Sequence, residues 1–108
     1  MDTISYDDFS KIDIRVGKII STEPIQGKSK IIKGIVDLGA EQRSVIIGGA
    51  QYYQQDDLVG KTVIVITNLE PKVIAGVESH GMLLAADVDD KPFWLTVTNG
   101  VPLGTKIK

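Results

Sequence analysis

From Ile12 to Val16 apolar and polar positions alternate, with Asp13 and Arg15 between Ile12, Ile14 and Val16, which is the two-residue period of a half-buried strand. After Gly17 the phase slips. Ile19 falls on the polar parity, and one extra residue at a glycine bulge would return it to the core face, so the pattern predicts a long first strand bent at Gly17. Ahead of it, Ser5 stands three residues before Asp8 in SYDDF and predicts a short helical turn before Ser10. EPIQGKSK reads as a loop with Lys28 and Lys30 at its tip. IIKGIVDLG and RSVIIGG, joined by AEQ, read as a hairpin. In AQYYQQDDLVGK the β pattern breaks: Asp56 and Asp57 suit a helix start and Gly60 a stop, so a helix of about two turns is expected. KTVIVITN is a continuous apolar run, the mark of a central strand covered on both sides. GMLLAADV and PFWLTVT are two more strands around a DVDDK turn, and NGVPLGTKIK turns at Asn-Gly and passes Pro102 and Gly104 before a short final strand.

A short helix between the third and fourth strands of a small all-β chain is the arrangement of an OB-fold, a partly open five-stranded barrel. We therefore expect an all-β fold with a C-terminal β extension. At 108 residues the chain is long enough to bury a core as one domain spanning residues 1–108. It has no cysteine, which removes thiolate metal sites, disulfides and cysteine nucleophiles together and suits a cytoplasmic location. MDTISYDD offers no basic leader and no apolar run approaches membrane-spanning length, so neither secretion nor membrane insertion is expected.

The net charge of −2 argues at first against a nucleic-acid partner. Its distribution changes that picture, because residues 11–43 carry seven bases against four acids and could supply a moderate basic face. The search for catalytic chemistry returns little. His80, the chain's one histidine, has no nucleophile motif or H-E-x-x-H around it and reads as an exposed or hydrogen-bonded loop residue rather than a general base. Asp87, Asp89 and Asp90 lack the spacing of a cation loop and read as a solvated turn. Gly48-Gly49 lacks the rest of a phosphate-loop fingerprint and reads as close backbone packing. No metal and no cofactor is expected.

Polymer binding fits the residues better. Arg15, Lys18, Lys33 and Arg43 could line one face, Lys28 and Lys30 could project from the first loop, and Lys72 could flank them. Any one of these is also well explained as a solvated surface charge. Tyr52 and Tyr53 read as wall packing. Phe93 and Trp94, adjacent on a strand, should point to opposite faces, so that one fills the core and the other covers an interface.

DFSKIDIRVGKI, VDLG, YY with DDLVGK, NLEPKVIAGVESHGMLLAA and VPLGTKI together resemble the tRNA-binding domain that accompanies methionyl-tRNA synthetase, as its beta subunit or C-terminal domain, and the endothelial monocyte-activating polypeptide type of module. The resemblance runs over nearly the whole chain, and the N-x-x-P-x-x-x-x-G-x-x-S-x-G-M stretch is its most specific part. It implies a non-catalytic OB-fold that binds tRNA by shape, as a homodimer built partly from the C-terminal segment (here residues 88–108), in the service of a methionyl-tRNA synthetase. It also implies roles beside the ligand for the stretch Asn68 to Met82. Ser79 would hydrogen-bond phosphate or ribose, His80 would lie beside it, and Met82 would offer an adaptable apolar surface to a base. The usual H-P-x-A-D-x-L after the first strand is replaced here by Pro24 to Ile31, with Ser29 where the aspartate should align. The usual Val-Ser-Gly is Ile47-Gly48-Gly49, and Gln55 replaces a proline. A secretion chaperone of the same fold, with a similar F-x-K-x-D-I-R start and G-T-K-I end, resembles the chain too and implies unfolded peptide as the alternative ligand. ESHGM and NLEP match the tRNA binders better.

Overall fold

The computed structural model describes residues 2–108. Ser5 accepts a hydrogen bond from the Asp8 amide at 3.0 Å and caps α1 (Tyr6–Ser10), as the Ser-x-x-Asp spacing predicts. Strands β1 (Ile14–Pro24), β2 (Ile31–Asp37) and β3 (Gln42–Gly48) follow. A 3-10 turn (Ala50–Tyr52) and α2 (Gln55–Leu58) come next. β4 (Thr62–Ile66), the hairpin β5 (Lys72–Ile74) and β6 (Val77–Ser79), and β7 (Met82–Leu83) lead to a second hairpin, β8 (Ala85–Val88) and β9 (Lys91–Trp94), and to β10 (Lys106–Ile107).

The main sheet runs β3-β2-β1-β4-β7, with β10 on the other edge of β1, and every pairing is antiparallel. Its two ends meet through β3 and the end of β6 with the residue that follows it. The His80 amide donates to the Ser44 carbonyl at 2.8 Å, the Ser44 hydroxyl donates to the Glu78 carbonyl at 2.8 Å, and the Ile46 amide donates to the Ser79 hydroxyl at 3.0 Å. A few bonds, rather than a full ladder, therefore close the barrel, giving the all-β, nearly closed OB-type architecture expected from the sequence.

Two apolar cores explain the phase slip in β1. Ile19 lies with Val36, Val45, Val63 and Val65 inside the barrel, whereas Ile14 and Val16 lie with Ile64 in a second cluster on the opposite face. Gly17 is therefore not a bulge. It stays in register opposite Val63, and an added Cβ would stand 2.6 Å from Val36 Cγ1 and 3.0 Å from Leu38 Cδ2. The register shifts later, between Ile19 and Ser21, leaving Ile20 as the extra, outward residue. The expectation of a bulge at Gly17 assumed one core, and the second core removes the need for it. β4 serves both, with Val63 and Val65 turned into the barrel and Ile64 into the second cluster, as its continuous apolar run predicts.

The expected two-turn helix is broken into the 3-10 turn and the single turn of α2. Tyr53 lies between them in extended conformation, its hydroxyl donating to the Gly48 carbonyl and its ring edge-on to Trp94 at 6.1 Å. Leu58, 1% exposed, anchors α2 in the barrel. Burial raises the Tyr53 phenol to about 12. A group whose pKa is raised in the folded state contributes stability below its unfolded pKa and loses it as pH rises through the folded value. Denaturant titrations should therefore show stability falling between pH 10 and about 12, and Tyr53→Phe should flatten that limb. An alkaline limb unchanged in Tyr53→Phe would assign the loss to another group.

Trp94 packs against the barrel core while Phe93, 50% exposed, points outward, as adjacent strand residues must. Only Lys91–Trp94 of PFWLTVT and its neighbour is strand. Beyond it Val97, Val101, Leu103 and Ile107 cover the second core. Gly104 and Thr105 bond both backbone groups of Val16, at 2.8 and 3.0 Å. Residues 101–107 thus pack on their own barrel, and the expected dimerisation stretch 88–108 has this part of its surface in use within the chain. Val88, Phe93 and Leu95 remain exposed. No helix among the described residues is long and apolar enough to cross a membrane.

Candidate nucleic-acid interface

The turn after β4 is fastened to the start of β1. The Thr67 hydroxyl donates to Asp13 Oδ2 at 2.7 Å and the Thr67 amide to the Asp13 carbonyl at 2.8 Å. Asn68 accepts from the Asp13 amide at 2.8 Å and donates to the Lys11 carbonyl at 2.6 Å. The Thr67 hydroxyl, and next the Arg15 guanidinium, hold the Asp13 carboxyl below the usual carboxylate range against the opposing effect of its own desolvation. Asn68 is thus an anchor, and Leu69 to Pro71 are displayed in front of it.

The chain then returns through the β5–β6 hairpin, an element that the strand pattern does not predict. Ala75 and Gly76 both have positive φ, 53° and 78°, the two-residue turn that suits a tight hairpin. The segment Glu78 to Met82 comes back beside Leu69 to Lys72. Two clefts result, with Leu69 as their shared wall. One, polar and about 530 Å³, is lined by Arg43, Ser44, Thr67, Pro71 and His80 among others. The other, about 210 Å³ and more apolar, has Ile46, Ile74 and Met82 as walls and Glu70 and Lys72 at its rim. Leu69 and Met82 are 48% and 45% exposed, so two large apolar side chains are presented together.

Of the predicted residues, Arg43, Lys72, Ser79, His80 and Met82 converge here. Lys33 lies at the flank, in a depression shared with Ser44, Val73 and Glu78, and it pairs with Glu23 at 3.4 Å. Ser79 is only 8% exposed, and its hydroxyl accepts from Ile46 and donates to the Gly81 carbonyl at 3.0 Å. It closes the barrel: its hydroxyl proton is committed to Gly81 and one acceptor site to the Ile46 amide, so it has no proton left to donate to a phosphate. His80 Nε2 lies 3.0 Å from Glu78 Oε2, the hydrogen-bonded loop position read from the sequence.

The remaining cations lie elsewhere. Arg15 pairs with Asp13 at 3.0 Å and donates to the Gly104 carbonyl at 2.9 Å, so it ties the C-terminal segment to β1. Lys18 is exposed on β1, opposite Asp37 on one side and Thr62 on the other. Lys28 and Lys30 sit on the exposed loop whose end bonds Ala50, beside the 3-10 turn. The one basic face expected from residues 11–43 is therefore divided. The sequence reading missed Leu69, Ile46 and Ile74 as lining residues. The available signal was an apolar residue inside the polar turn NLEP. Among the described residues no group of three or more His, Asp or Glu could hold a metal.

A family model for the tRNA binding domain matches residues 14–106. A methionine–tRNA ligase of Clostridium tetani is 48% identical over 107 residues, which is 97% of this chain but 17% of that protein. The chain thus spans about one sixth of the curated relatives it matches. Among solved structures, the MetRS-related protein of Pyrococcus horikoshii superposes with a TM-score of 0.93 at 38% identity, over 100% of both chains. The CsaA chaperone protein of Picrophilus torridus superposes with a TM-score of 0.87 at 33% identity, over 98% of this chain and 100% of that one. With the family match covering most of the barrel and the two site loops inside it, this chain belongs to the tRNA binding domain family.

Proposed function

We propose that this chain binds folded tRNA by shape and without catalysis. The observation that carries the reading is the pairing of the Leu69–Lys72 and Glu78–Met82 loops into one open surface, in a chain of this family. Lys72 and Lys33 supply phosphate contacts, and Leu69 and Met82 supply apolar contact to exposed sugar or base. The anionic chain, at −2, gains only a few phosphate contacts, each adding about −0.7 to −0.9 to the slope of log K against log salt. We further propose a cytoplasmic homodimer that associates with the catalytic part of a methionyl-tRNA synthetase. Two moderate sites on one tRNA raise avidity without new contacts, and exposed Val88, Phe93 and Leu95 offer an apolar interface.

The test is a salt titration of binding to folded tRNA, an unstructured RNA of equal length and an unfolded peptide. Folded tRNA should bind best and weaken with salt, with the modest slope that a few phosphate contacts give. Lys72→Ala should lower the slope of log K against log salt by about 0.7 to 0.9, the equivalent of one phosphate contact. A slope unchanged by Lys72→Ala would remove that lysine from the interface. A second reading, peptide binding, is favoured by the likeness to CsaA and by the apolar cleft at Met82. Peptide binding without RNA binding would establish it in place of the first.

A further inference from the structure

Arg43 stands where a phosphate-binding cation would be sought, yet all three nitrogens of its guanidinium already have protein partners. Nε and one terminal nitrogen approach Glu41 Oε1 at 3.0 and 2.8 Å. The other terminal nitrogen donates to the Thr67 carbonyl and, at 3.3 Å, to the His80 carbonyl. Three hydrogen bonds and an ion pair thereby engage all three nitrogens of the guanidinium fork. The two carbonyls belong to different loops: Thr67 opens the turn that displays Leu69, and His80 lies in the segment that leads to Met82. A single planar group therefore spans the two walls of the candidate site, with Glu41 holding its plane.

We propose that Arg43 is a positioning residue for RNA binding, which sets the spacing of the two loops and does not itself meet phosphate. The inference rests on the tRNA-binding reading and names what holds that surface in shape. Asp13 and Asn68 fix the Thr67 turn from beneath, and Ser44 fixes the His80 segment to β3. Arg43 is the side chain that joins these two assemblies across the cleft. A lysine keeps the charge but lacks the rigid fork that reaches two carbonyls and a carboxylate in one plane.

The experiment measures binding of a folded tRNA across a salt titration to the full chain and to Arg43→Lys and Glu41→Gln. Arg43→Lys should bind about tenfold more weakly at every salt concentration, as loss of a charged hydrogen-bond bridge implies, with the salt slope unchanged. A simple point-charge contact with phosphate would instead let lysine substitute with little loss, and Arg43→Lys binding within about twofold of the parent would overturn the proposal; a bidentate phosphate contact would also weaken with lysine and is separated from positioning by amide hydrogen exchange. Glu41→Gln gives an independent sign. Removing an acid beside an anionic ligand should strengthen binding by electrostatics alone, whereas loss of the guanidinium's anchor should weaken it, by about threefold; tighter binding would overturn the proposal. If Arg43→Lys shows no cooperative melting, Glu41→Gln decides.

Amide hydrogen exchange supplies a readout independent of RNA. In Arg43→Lys the Thr67 and His80 amides should exchange faster together, while amides paired between β1 and β2 keep their protection. Unchanged exchange at both would overturn the positioning role. Failure of the parent chain to bind tRNA would instead overturn the function proposed above, and the exchange result would still decide what Arg43 does.

Discussion

Gly104→Ala is expected to cost about 3 kcal/mol of stability, combining an unfavourable left-handed backbone with overpacking. Gly104 has φ +88°, and an added Cβ would stand 2.4 Å from the Leu38 carbonyl oxygen. The neighbour is backbone, which cannot rotate away as a side-chain tip can. Relief would require lifting the C-terminal segment from β1, breaking the Gly104 bond to the Val16 carbonyl at 2.8 Å and the Arg15 bond to the Gly104 carbonyl at 2.9 Å. Gly60→Ala is the control, because φ there is +92° and nothing lies within 4 Å of the added atom. It should show only the backbone cost, about 1 to 2 kcal/mol. Equal losses in the two variants, measured by denaturant unfolding, would mean that the crowding at Leu38 is relaxed at no cost.

Removal of residues 102–108 should be more damaging still. Leu103 and Ile107 are withdrawn from the second core, each contributing up to about 1.5 to 3 kcal/mol when fully buried. Both are partly exposed, so their joint contribution is discounted to about 2 kcal/mol. The Val16 amide and carbonyl lose partners worth about 1 kcal/mol each. A loss of about 4 kcal/mol corresponds to a fall in Tm on the order of 20 °C for a domain of this size. The prediction separates two roles for the segment. If it chiefly joins two chains, truncation changes the mass in solution and leaves the melting of the dilute chain nearly as before. If it chiefly covers Ile14, Val16 and Ile64, melting falls at every protein concentration, which is the expected result.

Much of the architecture was legible because strand alternation is local. The cap at Ser5, the hairpin of β2 and β3, the doubly covered β4 and the opposite directions of Phe93 and Trp94 all follow from residues adjacent or nearly adjacent in sequence. The β5–β6 hairpin was not read, since Ala75 occupies a positive-φ position where glycine or asparagine would have signalled the turn. Gly17 was read as a bulge because periodicity reports apolar faces without saying how many cores receive them. The helix after β3 was read too long because the docking of Tyr53 on Gly48 and Trp94 overrides the local helix signals.

The fold class and the order of the principal strands follow from the chain's short-range pattern, and a contiguous motif makes Asn68 to Met82 the candidate site. Which polar side chains of that candidate site already have protein partners is visible only in the folded molecule. Arg15 reaches Gly104 across 89 residues, Arg43 reaches Thr67 and His80 across 24 and 37, and Ser79 receives Ile46 across 33. A guanidinium or hydroxyl is chemically the same whether it faces solvent or a distant carbonyl. What distinguishes the two is a partner brought up by the closing of the barrel, and no local pattern in the chain records it.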